Sequence, residues 1–596
     1  MSFPALREFI QFLESIGELK RIKTEVDPQL EITAIASRAL HENKPAILFE
    51  NVKGSRVPLA INIYASEKRI ELALGRHPQE IGEELVTSFE SLVPPSKSRL
   101  WKNRSFIKRL LKSRPNFVRR GFSQEVIALP NLNSLPIQKC WPNDGGRFIT
   151  QGEVFTYDPI TNIRNVGLYR MHVYDNITTG MHWQIQKGGG FHYFQAEQLE
   201  KDLEVAVALG TDPALLFASI SALPEGMDEV LFASFLRGES IPMTNGTEIG
   251  IQVPANAEFV FEGIIPKKER RKEGPFGDHF CHYSNATQFP VFHLKSITHR
   301  RNPIYPATIV GIPPMEDKFL GDATQQILGP LVKLIHKEIR ATWAYYEAGF
   351  HNLFVVSVEE RYKKEAMKTA FGLLGTGQLA LTKCLIVVSH DVNPRDWSAV
   401  LQEIRTNFNP HFDFILIPKV PLDTLDFTSY KMELGSKMII DATKKKREIS
   451  EENIENNTRK IGKLKLFIAN IRSFDRRIED VALIEDCLLV VKVRKSGREI
   501  VQKLVGMKNL QSLKIIAAVS CDVDIHNKEN SIWGIFTRFD CERDVIFSEQ
   551  KLMGISPIYK GIMGIDATWK KGYPAALSMH DGIVKKVDSR WESYWK

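Results

Sequence analysis

The chain is poor in cysteine. It has six among 596 residues (Cys140, Cys281, Cys384, Cys487, Cys521 and Cys541), and no two form a Cys-x-x-Cys pair. That argues against a disulfide framework or a structural zinc site, and fits a reducing, cytoplasmic setting. No strand is followed by GxGxxG, and there is no Walker A, HExxH or GxSxG motif, so the common nucleotide, zinc-protease and serine-hydrolase signatures are absent. No RNP-type or helix-turn-helix signature points to nucleic acid. No apolar run is long enough to span a bilayer. The opening "MSFPALREFIQFLESIGELKRI" is apolar at Leu6, Phe9, Ile10, Leu13 and Ile16, a helical spacing, with Glu8, Glu14 and Glu18 between. A secretory signal would lack those acids, so no targeting segment is expected.

What is present is the composition of a soluble globular protein, 43% hydrophobic and 25% charged, in a chain long enough for three or four domains. The net charge of +8 is local. "SKSRLWKNRSFIKRLLKSRPNFVRR" (96–120) carries ten Lys or Arg and no acid. It reads as a solvated linker or helix surface, or as a segment drawn to an acidic surface such as anionic lipid. A second basic run, "KKKREISEENIENNTRK" (444–460), is mixed in sign and reads as an exposed connector.

Residues 1–95 alternate helix and strand: helix over "EITAIASRAL", strands over "PAILFE" and "VPLAINIY", and helix over "SEKRIELALG", closed by Gly75. From about 124 to 310 the pattern is β-rich. "GEVFTYD" and "RNVGLYRMHVYD" are strands and "MHWQIQ" a returning strand. "QAEQLEKDLEVAVALG" and "TDPALLFASISALP" are expected to insert helices. Such a meander predicts a barrel or a strongly curved sheet with a cleft. The last part repeats itself. "TKCLIVVSHDVN" (382–393) aligns with "LKIIAAVSCDVD" (513–524), "LFVVSV" (353–358) with "LLVVKV" (488–493), and "IIDATKK" (439–445) with "GIDATWK" (564–570). The repeat predicts a tandem α/β unit.

Three stretches carry chemistry. In "RNVGLYR" (164–170), Asn165, Gly167 and Tyr169 share one strand face, and Val166, Leu168 and Arg170 the other. A glycine inside a strand marks a bulge or the close approach of something flat. Arg170 is either a surface ion-pair partner or a clamp for a carboxylate or phosphate. "GGG" (188–190) is either a turn or a place where backbone N–H groups meet a phosphate. "EGPFGDHFCHY" (273–283) sets Glu273 and Asp278 around a tight turn, with His279 and His282 behind. Two neighbouring acids titrate unequally, and an arginine between them would keep one charged while the other delivers a proton. The alternative for an acidic loop is to cap a helix or face solvent.

Taken in order, "RNVGLYR", "MHWQIQKGGG", "EGPFGDH", "TKCLIVVSHDVN" and "LGSKMIIDAT" resemble the UbiD family of decarboxylases, over most of the chain up to about residue 445. The resemblance implies prenylated FMN as cofactor, with Mn²⁺ or another hard divalent cation and K⁺, and a flavin prenyltransferase as the cofactor's supplier. It implies an N-terminal α/β domain (1–95), a basic linker (96–122), a central split β-barrel of flavin-reductase type (123–315), and an oligomer-forming C-terminal α/β domain (316–450), with 480–596 as its second copy.

By the same resemblance, Arg170 grips the substrate carboxylate, Glu273 is its partner and Asp278 the proton donor. Leu168, Tyr169, Arg170, His182, Trp183, Lys187 and Gly188 line the cofactor, with Lys383 near its phosphate. Asn165, Gln186 and Glu239 match the metal ligands. Gln186 stands where many members have histidine. Its carbonyl still suits a hard cation, but it supplies no imidazole. His182 and His192 are nearby, although a histidine in such a sheet is more often a satisfied structural group.

The implied reaction is non-oxidative decarboxylation of an aromatic or α,β-unsaturated acid, such as a 4-hydroxy-3-polyprenylbenzoate on a ubiquinone route or a naphthoate on a menaquinone route. A greasy substrate would give segment 96–120 a purpose at the inner face of a membrane. Two other readings stay open: a flavin protein with redox or carrier function, and a scaffold whose repeated units bind a partner. Lys514 takes the place of Lys383 in the repeat, but "RNVGLYR" and "EGPFGDH" occur once, so one active site per chain is expected.

Overall fold

The computed structural model describes residues 2–596 except 185–186, 225, 430, 445–463, 465–466 and 469. Gln186 and nearly all of the second basic run therefore lie outside the described residues. The chain divides into two units, Met1–Leu328 with Pro574–Lys596, and Gly329–Tyr573.

In the first unit the amino-terminal pattern folds as its periodicity dictates. Leu6, Phe9, Ile10 and Leu13 form the buried stripe of helix Leu6–Ser15. Strands Leu19–Ile22, Ala46–Phe49, Leu59–Ile61 and Tyr305–Pro306 make a four-stranded sheet. Gly75 ends helix Glu67–Leu74 with φ 74°, a left-handed cap that glycine adopts without strain.

Expectation and structure part at the far terminus. Residues 574–596 were expected within the second copy of the repeat, yet they belong to the first unit. Their helix, Asp581–Trp595, is clasped by buried Glu31. That carboxylate accepts from Lys586 Nζ at 2.8 Å, Arg590 at 2.7 Å, the Tyr594 hydroxyl at 2.9 Å and the Asp27 N–H at 2.9 Å. A buried acid with four donors is satisfied, and removing it would strand the Tyr594 hydroxyl.

The central sheet runs in the order Arg270–Glu273, Thr287–His299, Phe259–Ile265, Leu203–Leu209, Phe148–Tyr157, Arg164–His172, with two further short strands on Thr287–His299. The ladder does not close into a barrel among the described residues, so the architecture here is a mixed α/β fold with an eight-stranded central sheet. Two local expectations also change. "LEVAVAL" is a strand, not part of a helix, because its apolar run is buried between Glu153–Phe155 and Phe259–Ile265. The strand returning after Arg164–His172 is only Thr178–Gly180, and it pairs with Val291–His293. Met181–Gln184 leaves the ladder, though the His182 N–H still reaches the Arg170 carbonyl at 3.2 Å.

The second unit contains two five-stranded sheets of the same order. One is built from Ile339–Ala344, Phe354–Val358, Cys384–Ser389, Leu434–Asp441 and Phe414–Pro421; the other from Ile478–Ile484, Leu488–Val493, Ile515–Val519, Ser556–Ala567 and Val545–Met553. The repeated sequence blocks fall on the three equivalent central strands, in equivalent register: Val356, Val387 and Asp441 neighbour one another in one sheet, Val491, Ala518 and Asp566 in the other. Lys383 and Lys514 are mates across this repeat. Lys383 Nζ donates to the Phe539 carbonyl at 2.9 Å, and Lys514 Nζ to the Phe408 carbonyl at 2.8 Å.

Lys383 does not take the place expected for it. Its side chain is fully buried in the second unit and ion-paired with buried Asp426 at 2.9 Å. A buried ammonium must be matched by charge and acceptors, and those partners use it for structure, so no face is turned to a phosphate. Lys383→Met strips Asp426 of its counter-charge and is expected to destabilise the chain by about 3–5 kcal/mol. Urea denaturation reads that loss. Flavin bound per folded chain is expected to stay unchanged, whereas a phosphate-holding lysine would lose flavin first.

Candidate active site

The loop of two acids is built on backbone. Strand Arg270–Glu273 pairs with Thr287–Pro290 and delivers Glu273 to its end. Gly274 follows at φ 90°, where only glycine is comfortable. A two-residue ladder, Phe276–Gly277 against Tyr283–Ser284, then closes the turn with Asp278 at its tip. Asp144 holds the loop from behind: its carboxylate accepts from the Gly277 N–H at 2.8 Å and the Trp141 N–H at 2.7 Å. The Gly145 N–H donates to the Pro275 carbonyl at 2.7 Å. Burial pushes the Asp144 carboxyl up to about 6 despite those bonds. The carboxy-terminal segment supports the other side. The Leu577 N–H donates to the Cys281 carbonyl at 2.9 Å, and the Tyr283 N–H to the Ala575 carbonyl at 3.3 Å.

Into this loop strand Arg164–His172 points Arg170. Its Nε donates to Glu273 Oε1 at 3.0 Å, one terminal nitrogen pairs with Asp278 Oδ2, and the other donates to Ser284 Oγ at 3.0 Å. The guanidinium carbon lies 4.7 Å from the centre of the Phe276 ring. Both acids are buried and the arginine side chain is only 10% exposed. His182 Nδ1 lies 3.0 Å from Glu273 Oε1, so this ring nitrogen serves the acid. Burial alone would raise Glu273, but the charges of His182 and Arg170 outweigh it and hold the carboxyl at about 2. Asp278 Oδ1 meets a different set, the N–H and Nδ1 of His279, each at 2.8 Å. The two acids thus have unequal roles: Glu273 is a fixed counter-charge, and Asp278 sits at the loop tip with a half-exposed histidine. His282 is buried, its Nδ1 on the Phe280 carbonyl at 2.8 Å.

The other strand face, with Asn165, Gly167 and Tyr169, meets the glycine run. The flat object over Gly167 is the Tyr169 ring: a Cβ at Gly167 would lie 2.6 Å from it. Gly188–Gly190 form the first turn of helix Gly188–Gln198, with Lys187 as its amino-terminal cap residue. A Cβ at Gly188 would collide with the Asn165 carboxamide, and one at Gly189 would sit 2.6 Å from Trp183 Nε1. Asn165 Nδ2 and Trp183 Nε1 are buried with no hydrogen-bond partner among the described residues. A helix amino terminus beside such orphaned polar atoms is a cradle for an anion. Leu168 is half-buried on the Arg170 face. His192, by contrast, is spent on Thr156 Oγ1 at 2.9 Å.

The acid beside Asn165 is not the one expected. Glu239 follows Gly238 past the carboxyl end of helix Glu229–Arg237; its side chain is 68% exposed and turned to Arg237 at 3.6 Å. Glu229 opens the same helix and is buried against strand Arg164–His172, accepting from the Val166 N–H at 2.9 Å. Asp228 caps that helix and pairs with Arg164 at 2.5 Å, which pins the end in place. Burial pushes the Glu229 carboxyl up to about 7, the backbone bonds from its own N–H and Val166 only partly opposing. A bound cation would keep it ionised. The helix spans about 14 Å, so choosing the wrong end moves the carboxylate by that distance. The cue in the sequence was Asp-Glu directly before "VLFASFL", a helix start. Ser284 was missed because a lone serine carries no pattern.

Lys187 and the first N–H groups of the helix, of which that of Gly189 also reaches the Tyr169 hydroxyl at 3.4 Å, would suit a phosphate, and Asn165 and Glu229 would suit a hard cation. Glu229→Gln, which keeps shape and loses charge, is expected to lower bound divalent metal at least about tenfold, while Glu239→Gln leaves it unchanged. Metal analysis of the two purified variants checks this.

Known proteins share this architecture. Residues 10–89, 117–313, and 318–442 with 477–567 match the N-terminal, Rift-related and C-terminal domains of the 3-octaprenyl-4-hydroxybenzoate carboxy-lyase family. The C-terminal family model matches both copies of the repeat. A Chlamydia pneumoniae protein named as one subunit of a 4-hydroxybenzoate decarboxylase is 34% identical over 597 residues, covering all of this chain and 99% of its own. An uncharacterised Archaeoglobus fulgidus protein is 44% identical over 450 residues, 75% of this chain and 93% of its own. Among solved structures, the vanillic acid decarboxylase of Sedimentibacter hydroxybenzoicus in closed form has a TM-score of 0.67 at 28% identity, covering 77% of this chain and 99% of that one. HmfF of Pelotomaculum thermopropionicum in complex with FMN has a TM-score of 0.61 at 27% identity, covering 76% and 98%. An evolved dimeric form of HmfF, with prFMN, has the same TM-score at 26% identity.

Proposed function

The chain belongs to the UbiD family of decarboxylases, and from that footing we propose that it removes carbon dioxide from an aromatic acid of the hydroxybenzoate class, a 4-hydroxy-3-polyprenylbenzoate or a related naphthoate in quinone synthesis, with prenylated FMN as cofactor. The names carried by the matched family and by the chlamydial relative support the hydroxybenzoate class. The complexes of HmfF with FMN and prFMN support the cofactor. Prenylated FMN, when bound, supplies the electron sink for the carbanion that carbon dioxide leaves behind. Asn165 and Glu229 would hold a hard divalent cation such as Mn²⁺, which would supply charge to neutralise the cofactor's phosphate, and K⁺ and a homo-oligomer complete the reading.

The observation that carries the proposal is Arg170 held by both acids and Ser284 in one buried cluster. The substrate carboxylate competes for the terminal nitrogens of Arg170 that Asp278 and Ser284 occupy, and a bidentate grip fixes the bond to be broken. Glu273 keeps its hold on Nε, so the guanidinium stays oriented. Asp278 loses its cationic partner to the substrate, which favours its protonated form. Its carboxyl then delivers the proton to the carbon that carbon dioxide has left, and His279 at Oδ1 is placed to restore that proton. Glu273, held at about 2, is too strong an acid for the task at neutral pH.

Asp278→Asn keeps the hydrogen-bonding shape and removes the proton. Turnover is expected to fall roughly a hundred- to ten-thousandfold with KM changed little. Carbon dioxide release from hydroxybenzoates, naphthoates and cinnamates, with mass spectrometry of the bound flavin, reads the result. Undiminished turnover overturns the assignment of the acid. Release from cinnamates alone overturns the substrate class.

A second test uses pH. Because Glu273 is depressed in the folded chain, its stabilising effect is complete above the ordinary carboxylate range and is lost only as pH falls towards about 2. Glu273→Gln is therefore expected to lower the thermal midpoint below that of wild type by an amount that is constant from about pH 5 upward and shrinks below about pH 4.

A further inference from the structure

The basic segment, which the reaction does not use, has a definite face. It forms two short helices, Lys97–Lys102 and Arg104–Lys112. The second docks through Phe106, its only buried side chain, which meets Phe89 at 5.9 Å and Phe235 at 5.5 Å between ring centres. Arg109 joins that inner side, its guanidinium 4.1 Å from the Phe235 ring centre and paired with Glu84 at 2.8 Å. At 3.6 residues per turn, the opposite side of the helix carries Arg104, Lys108, Leu111 and Lys112, with Trp101 one turn earlier, and all five are exposed. Trp101 is 71% exposed under the Arg104 guanidinium, 5.2 Å from its ring centre, and Leu111 is 61% exposed.

Two features of this face must be explained together. Ten cations without an acid in residues 96–120 call for an anionic partner. A polyanion such as nucleic acid would be served by the cations alone and leaves Leu111 in water. A tryptophan and a leucine standing among lysines and arginines match a surface that is anionic outside and hydrocarbon just beneath. Neither helix is long enough to cross a bilayer, and no described helix is.

We propose that this face docks on an anionic lipid bilayer, with Trp101 and Leu111 entering the boundary between headgroups and acyl chains while Arg104, Lys108 and Lys112 meet lipid phosphates. The contact is peripheral and reversible, and it stands apart from the substrate reading above.

The test is co-sedimentation of the full chain with vesicles of phosphatidylcholine alone or doped with phosphatidylglycerol. Binding is expected only with the anionic lipid and to weaken with salt. Lys108→Glu is expected to weaken it by about fivefold or more. Trp101→Ser and Leu111→Ser, which leave the charge unchanged, are each expected to weaken it by about threefold or more. All three side chains are exposed, so an unchanged thermal midpoint shows that the variants fold. Equal binding to neutral vesicles overturns the proposal. So does wild-type binding by the Trp101 and Leu111 variants, or duplex DNA that binds as well and ignores Trp101. A lipid-free oligomer that dissociates in these variants assigns the face to a second copy and overturns it too.

Discussion

The structure turns on one buried ion cluster. Arg170 is nearly out of water, and a guanidinium there survives only if every donor has a partner. Glu273, Asp278 and Ser284 supply those partners, each from a different position on one short loop. The loop in turn is held by Asp144 and Gly145 behind it and by the carboxy-terminal segment in front. The central sheet exists, from this standpoint, to bring Arg164–His172 opposite Arg270–Ser284 at one height. A cluster of one cation with two acids also has a function in its imbalance. When a second carboxylate arrives, one resident acid must give way, and it is Asp278, because Asp278 sits at the loop tip on a terminal nitrogen of Arg170 while Glu273 holds the inner Nε.

The same strand does two jobs through its two faces. Arg170 faces the acid loop, while Asn165 and Tyr169 face the glycine-rich start of helix Gly188–Gln198. That helix can approach so closely because Gly188 and Gly189 have no side chain to strike Asn165 and Trp183. Glu229 completes this side by opening a helix whose cap, Asp228, is tied to Arg164. An anion at a helix amino terminus and a cation between an amide and a buried acid are complementary demands, and the strand's alternation meets both within six residues.

The second unit shows how a duplicated segment diverges. Its two sheets share order and register, and their paired lysines, Lys383 and Lys514, each cap a carbonyl of the opposite copy. Lys383 is sealed beside a buried aspartate, Asp426. In the first unit, Glu31 binds the chain's last helix by the same logic of a buried charge with a full set of partners.

Much of this was legible in the sequence. Helical and strand periods located most elements, the repeat was visible as three ordered blocks, and five motifs identified the family. Arg170, Glu273 and Asp278 could be singled out because charged residues in a strand and a tight turn need a reason. What sequence could not decide was which charges lie buried together. Glu229 and Glu239 are alike as letters, and only the packing of one helix shows that the first is inside and the second in solvent. Lys383 sits in a family motif, yet its ammonium is taken by Asp426 and Phe539, more than forty and one hundred and fifty residues away. "LEVAVAL" has an apolar run that suits helix or strand, and its two neighbours in the sheet settled the matter. Local pattern determines what a segment can become; which charge meets which is a property of contacts between distant parts of the chain, and burial makes those contacts obligatory.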